Sequence, residues 1–208
     1  MLLRIICLIV GYIFGMFLTA DLVCHKVCDK SAFDVGSKNP GLANVGLEFG
    51  LKPAFIVLIG DAAKVIIPSI LLHYLFGAQL SWTCSSLWCG LGATLGHNYP
   101  AWHHFSGGEG VMTSSTAMVI ATPVVGIASI LVGLVSVFVT KYLNLAAVII
   151  CMAYTILLYI QGFSEFAFIG LCFSILSWIA NFHSIKKIGT DEAEAEQTDL
   201  WALITKNK

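Results

Sequence analysis

A polytopic, all-α membrane protein is the fold class that this sequence predicts, and three observations predict it. Of its 208 residues, 58% are hydrophobic and only 11% are charged. The mean hydropathy is +0.87, well outside the range of soluble domains. Apolar runs of membrane-spanning length recur along the chain, and lysines fall in only some of the segments between them. The formal net charge of -1, with no Lys/Arg-rich run, gives no nucleic-acid signal. Four of the seven cysteines (Cys7, Cys89, Cys151 and Cys172) lie inside apolar runs, where cysteine behaves as a small hydrophobe. Cys24, His25 and Cys28 offer a C-x3-C spacing without a second pair, which is poor zinc geometry. No metal or cofactor is expected.

The first apolar run, residues 2–23, is long enough to cross ~30 Å of hydrocarbon at ~1.5 Å per residue. It lacks a small-residue cleavage site, so it is expected to stay as a helix rather than act as a signal peptide. A polar loop follows over residues 24–52, carrying Lys26, Lys30, Lys38 and Lys52. The second run, residues 53–76, opens with proline, which suits a helix's first turn. A short loop leads to the third run, residues 82–95. The run 111–140 is too long for one span, and Pro123 with Gly126 marks a break near its middle. If it breaks there, Lys26, Lys38, Lys141 and Lys186 all fall on one side, as the positive-inside rule requires. Two further spans are expected near residues 144–160 and 166–180. The prediction is therefore seven transmembrane helices, with the N-terminus outside, the C-terminus cytoplasmic, and a short broken helix after the GGEG loop. That piece, residues 111–122, is only ~18 Å long as a helix and would rest on protein or lie within a cavity. Residues 1–182 are read as one membrane domain, and residues 183–208 as a cytoplasmic polar tail with an acidic patch, DEAEAEQTD.

Three polar clusters fall on the cytoplasmic side of that topology. The first, GSKNPGLANV at residues 36–45, offers Ser37, Asn39 and Asn44 as donors, with Gly36 and Gly41 permitting a backbone nest. That grouping suits a phosphate, although the same residue types also form ordinary turns. The second is Asp61 with Lys64, three residues apart on one helix face. Ionisable residues inside a span mark a functional site by default; the alternative is a self-neutralising pair that fixes helix packing. Lys64 could also reach a substrate phosphate. The third, GHNYPAWHHFSGGEGVMT at residues 96–113, holds three of the six histidines and the chain's Gly-Gly pair. His97 and Asn98 are expected directly after the third helix, and Gly107, Gly108 and Gly110 let backbone approach a ligand. Trp102, His103 and His104 read as interfacial residues. No Ser-His-Asp order or cysteine-nucleophile context is visible, so a covalent protein intermediate has no support.

In this order and spacing, GSKNPGLANV, the D-x-x-K of Asp61 and Lys64, and GHNYP followed by F-x-GGEGV resemble the bacterial membrane glycerol-3-phosphate acyltransferases that use acyl phosphate. Those proteins carry a GSGNPGATNV-type loop, a DxxKG helix and a GHxFP…FxGGKGV loop. The likeness runs from about residue 11 to residue 188, and GTDE at 189–192 resembles the family's GTE ending. It implies a seven-helix fold in the bacterial inner membrane that moves an acyl group from acyl phosphate to the 1-hydroxyl of glycerol 3-phosphate. The product would be lysophosphatidic acid, in phospholipid synthesis. It further implies that Asp61, Lys64 and His97 are catalytic, that the first loop wraps the donor's phosphate, and that the leaving phosphate helps take the hydroxyl proton. Substrate contacts would come from Ser37, Asn39, Gly41, Asn44, Asn98, Gly107, Gly108, Glu109, Asn144, Asn181 and Ser184. Departures cluster in the half that would bind the acceptor. The family's loop arginine falls on Leu47, the lysine of GGKG on Glu109, a serine on Asn144, and the His and Asn of HRxNI on Asn181 and Ser184. Within the first loop, Lys38 replaces glycine and Ala43 replaces threonine. A carboxylate in place of an ammonium should disfavour an anionic acceptor, and Lys38 is placed to pair with Glu109. The alternatives are therefore a paralogue with another acceptor, or a non-catalytic membrane protein that binds lipid, acyl phosphate or a protein partner. A transporter is a third class, favoured by broken helices and a buried ion pair but lacking an inverted repeat.

Overall fold

The computed structural model describes residues 1–190; the acidic patch DEAEAEQTD and everything after it lie outside the described residues. Nine α-helices make up the described chain: α1 (Leu2–Gly15), α2 (Thr19–Cys28), α3 (Leu42–Phe49), α4 (Leu51–Phe76), α5 (Trp82–Asn98), α6 (Val111–Ala121), α7 (Pro123–Thr140), α8 (Leu143–Ile160) and α9 (Ser164–Lys186). Among the described residues, five stretches are long and apolar enough to cross a membrane: Leu2–Cys28, which joins α1 to α2, and α4, α7, α8 and α9. Their outer faces carry Phe55, Ile59, Val135, Phe138, Ile156 and Phe168 exposed, as a lipid-facing surface requires.

The bundle is organised around α5. All but four of its 17 residues are buried. Its pairing with α1 depends on two small-xxx-small motifs, Gly11/Gly15 and Gly92/Gly96. A Cβ at Gly11 or Gly15 would run into the carbonyls of Cys89 and Ala93, and one at Gly92 or Gly96 into those of Leu8 and Tyr12. Without a hydrophobic drive between helices in lipid, such backbone approach is a main source of association. On the other side α5 packs on α6 and α9 through a core that includes Leu87, Met118, Tyr154 and Phe173.

Two departures from the sequence expectation shape the site. The first run is not one helix: it breaks between Gly15 and Thr19. Freed carbonyls at the break find side-chain donors, Trp102 Nε1 on Met16 at 2.7 Å and Lys64 Nζ on Phe17 at 3.0 Å. The polar loop expected over residues 24–52 is largely helical, containing the end of α2, a 3-10 turn at Ala32–Asp34, and α3. Elsewhere the expected punctuation holds. α6 ends at Ala121, Thr122 is extended (φ -142, ψ 81), and Pro123 opens α7. At the other end of the bundle an Arg4–Glu165 ion pair of 2.6 Å ties the start of α1 to that of α9.

Candidate active site

Asp61 and Lys64 sit one turn apart on the buried face of α4, and His97 comes from the last turn of α5. Both His97 and Asn98 are thus inside the helix, where the sequence expectation had them just beyond it. The ammonium of Lys64 lies 2.8 Å from Asp61 Oδ1, donates to the Phe17 carbonyl at 3.0 Å, and stands 2.9 Å from His97 Nδ1. An ammonium has three protons and accepts nothing, so beside a charged Lys64 the His97 Nδ1 is the acceptor, while Asp61 Oδ1 meets the ammonium as an ion pair without a hydrogen bond of its own. It follows that His97 accepts at Nδ1 and carries its proton on Nε2. The three side chains are only 1%, 4% and 3% exposed for Asp61, Lys64 and His97. A neutral imidazole beside one cation and one anion leaves the group with no net charge, the only economical state at such depth.

The glycine loop lies against this group. The Gly108 N–H donates to the His97 carbonyl at 3.0 Å, and a Cβ at Gly108 would sit on His97 Nε2. The missing side chain therefore lets the loop backbone pack directly against the Nε2 end of the imidazole. Gly110 takes a left-handed conformation (φ 71) against the Asn98 carboxamide. Asn98 is buried, and neither of its amide atoms has a hydrogen-bond partner.

The first loop is folded around Asn44. Its Oδ1 accepts from the Ser37 N–H at 3.0 Å, and its Nδ2 donates to the carbonyls of Val35 and Asn39, both at 2.9 Å. Asp21 holds the other end, accepting from Ser31 Oγ at 2.7 Å and the Ala32 N–H at 2.8 Å. The N–H groups of Lys38 and Gly41 bond to Val35 and Asn39 within the loop. What the loop presents outward is the Ser37 hydroxyl, the Lys38 ammonium and the Asn39 carboxamide, whose buried Oδ1 has no partner. Lys38 does this from a left-handed backbone, φ 61, a conformation that costs a non-glycine residue about 1–3 kcal/mol. Gly41 precedes α3 and caps its N-terminus.

A second polar group gathers where α6, α8 and α9 meet the same loops. Asn144 Nδ2 donates to Glu109 Oε1 at 2.9 Å. The antiparallel register of α8 and α9 is set by the Thr155–Ser174 hydroxyl pair at 3.1 Å. About three turns along each helix from that pair, Asn144 and Ser184 come to the same end. Asn181 is fully buried, donating to the Ser177 carbonyl at 2.9 Å while its Oδ1 has no partner. Several contacts that stitch these parts together carried no sequence signal, because one partner is backbone or a distant ring. Tyr12 donates to the Tyr99 carbonyl at 2.8 Å, and Phe33 stacks on His103 at 3.9 Å and 11°. Asp21, a charge inside an apolar run, was the one such residue that the sequence could have flagged.

Comparison with known proteins gives this arrangement its context. The sequence profile of the family described as "Glycerol-3-phosphate acyltransferase" matches residues 5–190. The chain is 34% identical over 188 residues to glycerol-3-phosphate acyltransferase 1 of Lactobacillus johnsonii, covering 87% of this chain and 85% of that one. It is 28% identical over 201 residues to the glycerol-3-phosphate acyltransferase of Alkaliphilus metalliredigens, covering 96% and 100%. Its fold matches the crystal structure of PlsY (YgiH), an integral membrane glycerol 3-phosphate acyltransferase in its glycerol 3-phosphate form, with a TM-score of 0.77 and 25% identity over 89% of this chain and 91% of that chain. With buried Asp61, Lys64 and His97 beneath a glycine loop in a membrane bundle, the chain belongs to the glycerol-3-phosphate acyltransferase family.

Proposed function

We propose that the protein is a membrane acyltransferase that moves a fatty acyl group from acyl phosphate to the 1-hydroxyl of glycerol 3-phosphate, giving lysophosphatidic acid. The acceptor oxygen bonds to the acyl carbon, the bond from that carbon to the phosphate oxygen breaks, and the departing phosphate takes the hydroxyl proton. No protein nucleophile is needed. The loop at residues 36–44 takes the donor phosphate through Ser37, Lys38 and Asn39, assisted by the N-terminus of α3, a favourable place for an anion. Asn44 and Gly41 act by shaping that loop. His97 donates from Nε2 to oxygen that gains charge in the transition state, and Lys64 and Asp61 hold its ring and tautomer. Gly107 and Gly108 let the loop backbone pack against that face, while Asn98, Glu109, Asn144, Asn181 and Ser184 line the acceptor end.

The observation that supports this reading is the hub on Lys64, which meets His97 Nδ1 at 2.9 Å and leaves Nε2 toward the glycine loop as the donor. The membrane arrangement proposed has seven spans, counting α1 with α2 as one and adding α5 and α6 to the long helices. The N-terminus is outside and the site faces the cytoplasm of a bacterial inner membrane, because this puts Lys26, Lys38, Lys141 and Lys186 on one side. Labelling from outside of a cysteine introduced at position 141 would contradict it. The activity itself is tested with purified protein, acyl phosphate and a panel of acceptors. Lysophosphatidic acid formed from glycerol 3-phosphate is the expected product. Glu109 gives one alternative a specific footing, an acceptor without phosphate, and preferential acylation of glycerol in the same panel would establish that instead.

A further inference from the structure

We propose that Phe33 and His103 are positioning residues of the transfer step: their stacked rings hold the donor-phosphate loop and the glycine loop at a fixed separation. The proposal rests on the acyltransferase reading above and deepens it.

The two rings lie 3.9 Å apart and 11° from parallel, and each is tied into the loop that carries it. Phe33 is the middle residue of the 3-10 turn Ala32–Asp34. Asn44 Nδ2 donates to the carbonyls that flank it in sequence, Ala32 at 3.4 Å and Val35 at 2.9 Å, while Asn44 Oδ1 accepts from the Ser37 N–H at 3.0 Å. One asparagine therefore anchors both Phe33 and Ser37. Asp21 holds the turn from its other side through Ser31 and Ala32.

His103 belongs to the opposite loop. A carbonyl only accepts, so His103 Nδ1 donates to that of Ser106, at 2.8 Å, and the Ser106 N–H returns a bond to the His103 carbonyl at 3.0 Å. Ser106 leads directly into Gly107 and Gly108, and Gly108 is bonded to the His97 carbonyl at 3.0 Å. Between the two bonded residues, His104 and Phe105 both take left-handed backbone, φ 52 and 56. Residues with a Cβ keep that conformation only where their surroundings enforce it.

Acyl transfer needs the acyl carbon, held through its phosphate by Ser37, Lys38 and Asn39, to meet the acceptor oxygen beside the glycine loop. Contacts to each substrate lie within one loop, whereas alignment of the two reactants depends on the distance between loops. A parallel ring stack is a suitable spacer, because flat faces in van der Waals contact resist both approach and tilt. Its loss should leave each substrate bound but misalign the pair, and an error of about 1 Å at a reacting centre is worth on the order of a hundredfold.

The test is steady-state kinetics on the intact protein with acyl phosphate and glycerol 3-phosphate, expressed per folded molecule after size-exclusion chromatography in detergent. Phe33→Ala and His103→Ala should each lower kcat roughly tenfold to a hundredfold, with the KM for each substrate near that of wild type. The double variant should lose no more than either single one, as two members of one contact do. His103→Phe keeps a flat ring while giving up the bond to Ser106, and should recover most of kcat. Phe33→Leu fills the same place without a face to stack on. It should behave as Phe33→Ala, and it answers the question should the alanine variants not fold. Unchanged kcat, losses that add in the double variant, or a raised KM at unchanged kcat would overturn the proposal and leave the acyltransferase reading intact. So would a His103→Phe as slow as His103→Ala. A wild type that transfers no acyl group to glycerol 3-phosphate would overturn both.

Discussion

The two polar regions flanking the Lys64 hub are built on opposite plans. In the first loop the side chain of Asn44 and several backbone N–H groups are engaged with one another, and only three side chains face outward. In the group around Glu109 the polar side chains come from the glycine loop and from separate helices, α5, α8 and α9, and two of them carry unpartnered buried atoms. The first plan gives a preformed cradle whose shape depends on one asparagine. The second gives a lining that can change residue by residue without refolding anything. Four departures from the family pattern (Glu109, Asn144, Asn181 and Ser184) fall on side chains of the second region, while Lys38, Ala43 and Leu47 fall in the first loop and α3.

The largest effect should come from breaking the hub that both regions share. Lys64→Met leaves Asp61 as a buried, unpaired carboxylate and removes the donor to the Phe17 carbonyl, a loss of about 3–5 kcal/mol. A thermal-unfolding measurement in detergent should show it, and the double variant Asp61→Asn/Lys64→Met should recover most of the stability but none of the activity. Recovery of activity would mean that the pair serves folding alone. Next is Gly108→Ala. Its methyl would occupy the space before His97 Nε2, and a misplacement of about 1 Å at a reacting centre costs on the order of a hundredfold. Activity should fall by that order, and the clash with buried His97 should also lower stability by about 1–3 kcal/mol; retained activity would contradict the placement of His97 at the reacting centre.

How much of this could be read from the chain depended on where the cause lay. The boundaries of α4, α7 and α8 fall within two residues of those predicted, because their signals are local: a proline near the start, or a charged or glycine-bearing connection at the end. The break in the first run was invisible, because the donors that make it tolerable come from Lys64 and Trp102, 47 and 86 residues away in sequence. α3 was hidden for another reason, since GLANV reads as turn formers until Asn44 is seen bonding to the loop before it. In the site, Asp61, Lys64 and His97 stood out as polar residues in apolar surroundings. Their contacts did not: the Lys64 ammonium meets Asp61, the Phe17 carbonyl and His97 at once, a grouping that joins three separate segments. The hydrogen bond from Asn144 to Glu109 carried no sequence signal either. Spacing brings residues to one end of a bundle, but only the packed structure says which ones face each other.

Asn44→Ala should rank third. It removes the side-chain hydrogen bonds that fold the first loop, each worth about 1 kcal/mol, so the KM for acyl phosphate should rise by tenfold or more. Unchanged donor kinetics would show that the loop holds its shape without the clasp. The smallest effect is expected from Lys38→Gly. Relief of the left-handed backbone should stabilise the protein by about 1 kcal/mol, while loss of an exposed cation raises the donor KM only a few-fold. A fall in stability would contradict the strain argument.

The division of labour between the two regions is tested most directly by a two-substrate kinetic matrix on Ser37→Ala and Asn144→Ala. The account predicts that Ser37→Ala raises the KM for acyl phosphate roughly tenfold or more with the glycerol 3-phosphate KM unchanged, and that Asn144→Ala does the reverse. Both substitutions raising the KM of the same substrate would contradict it.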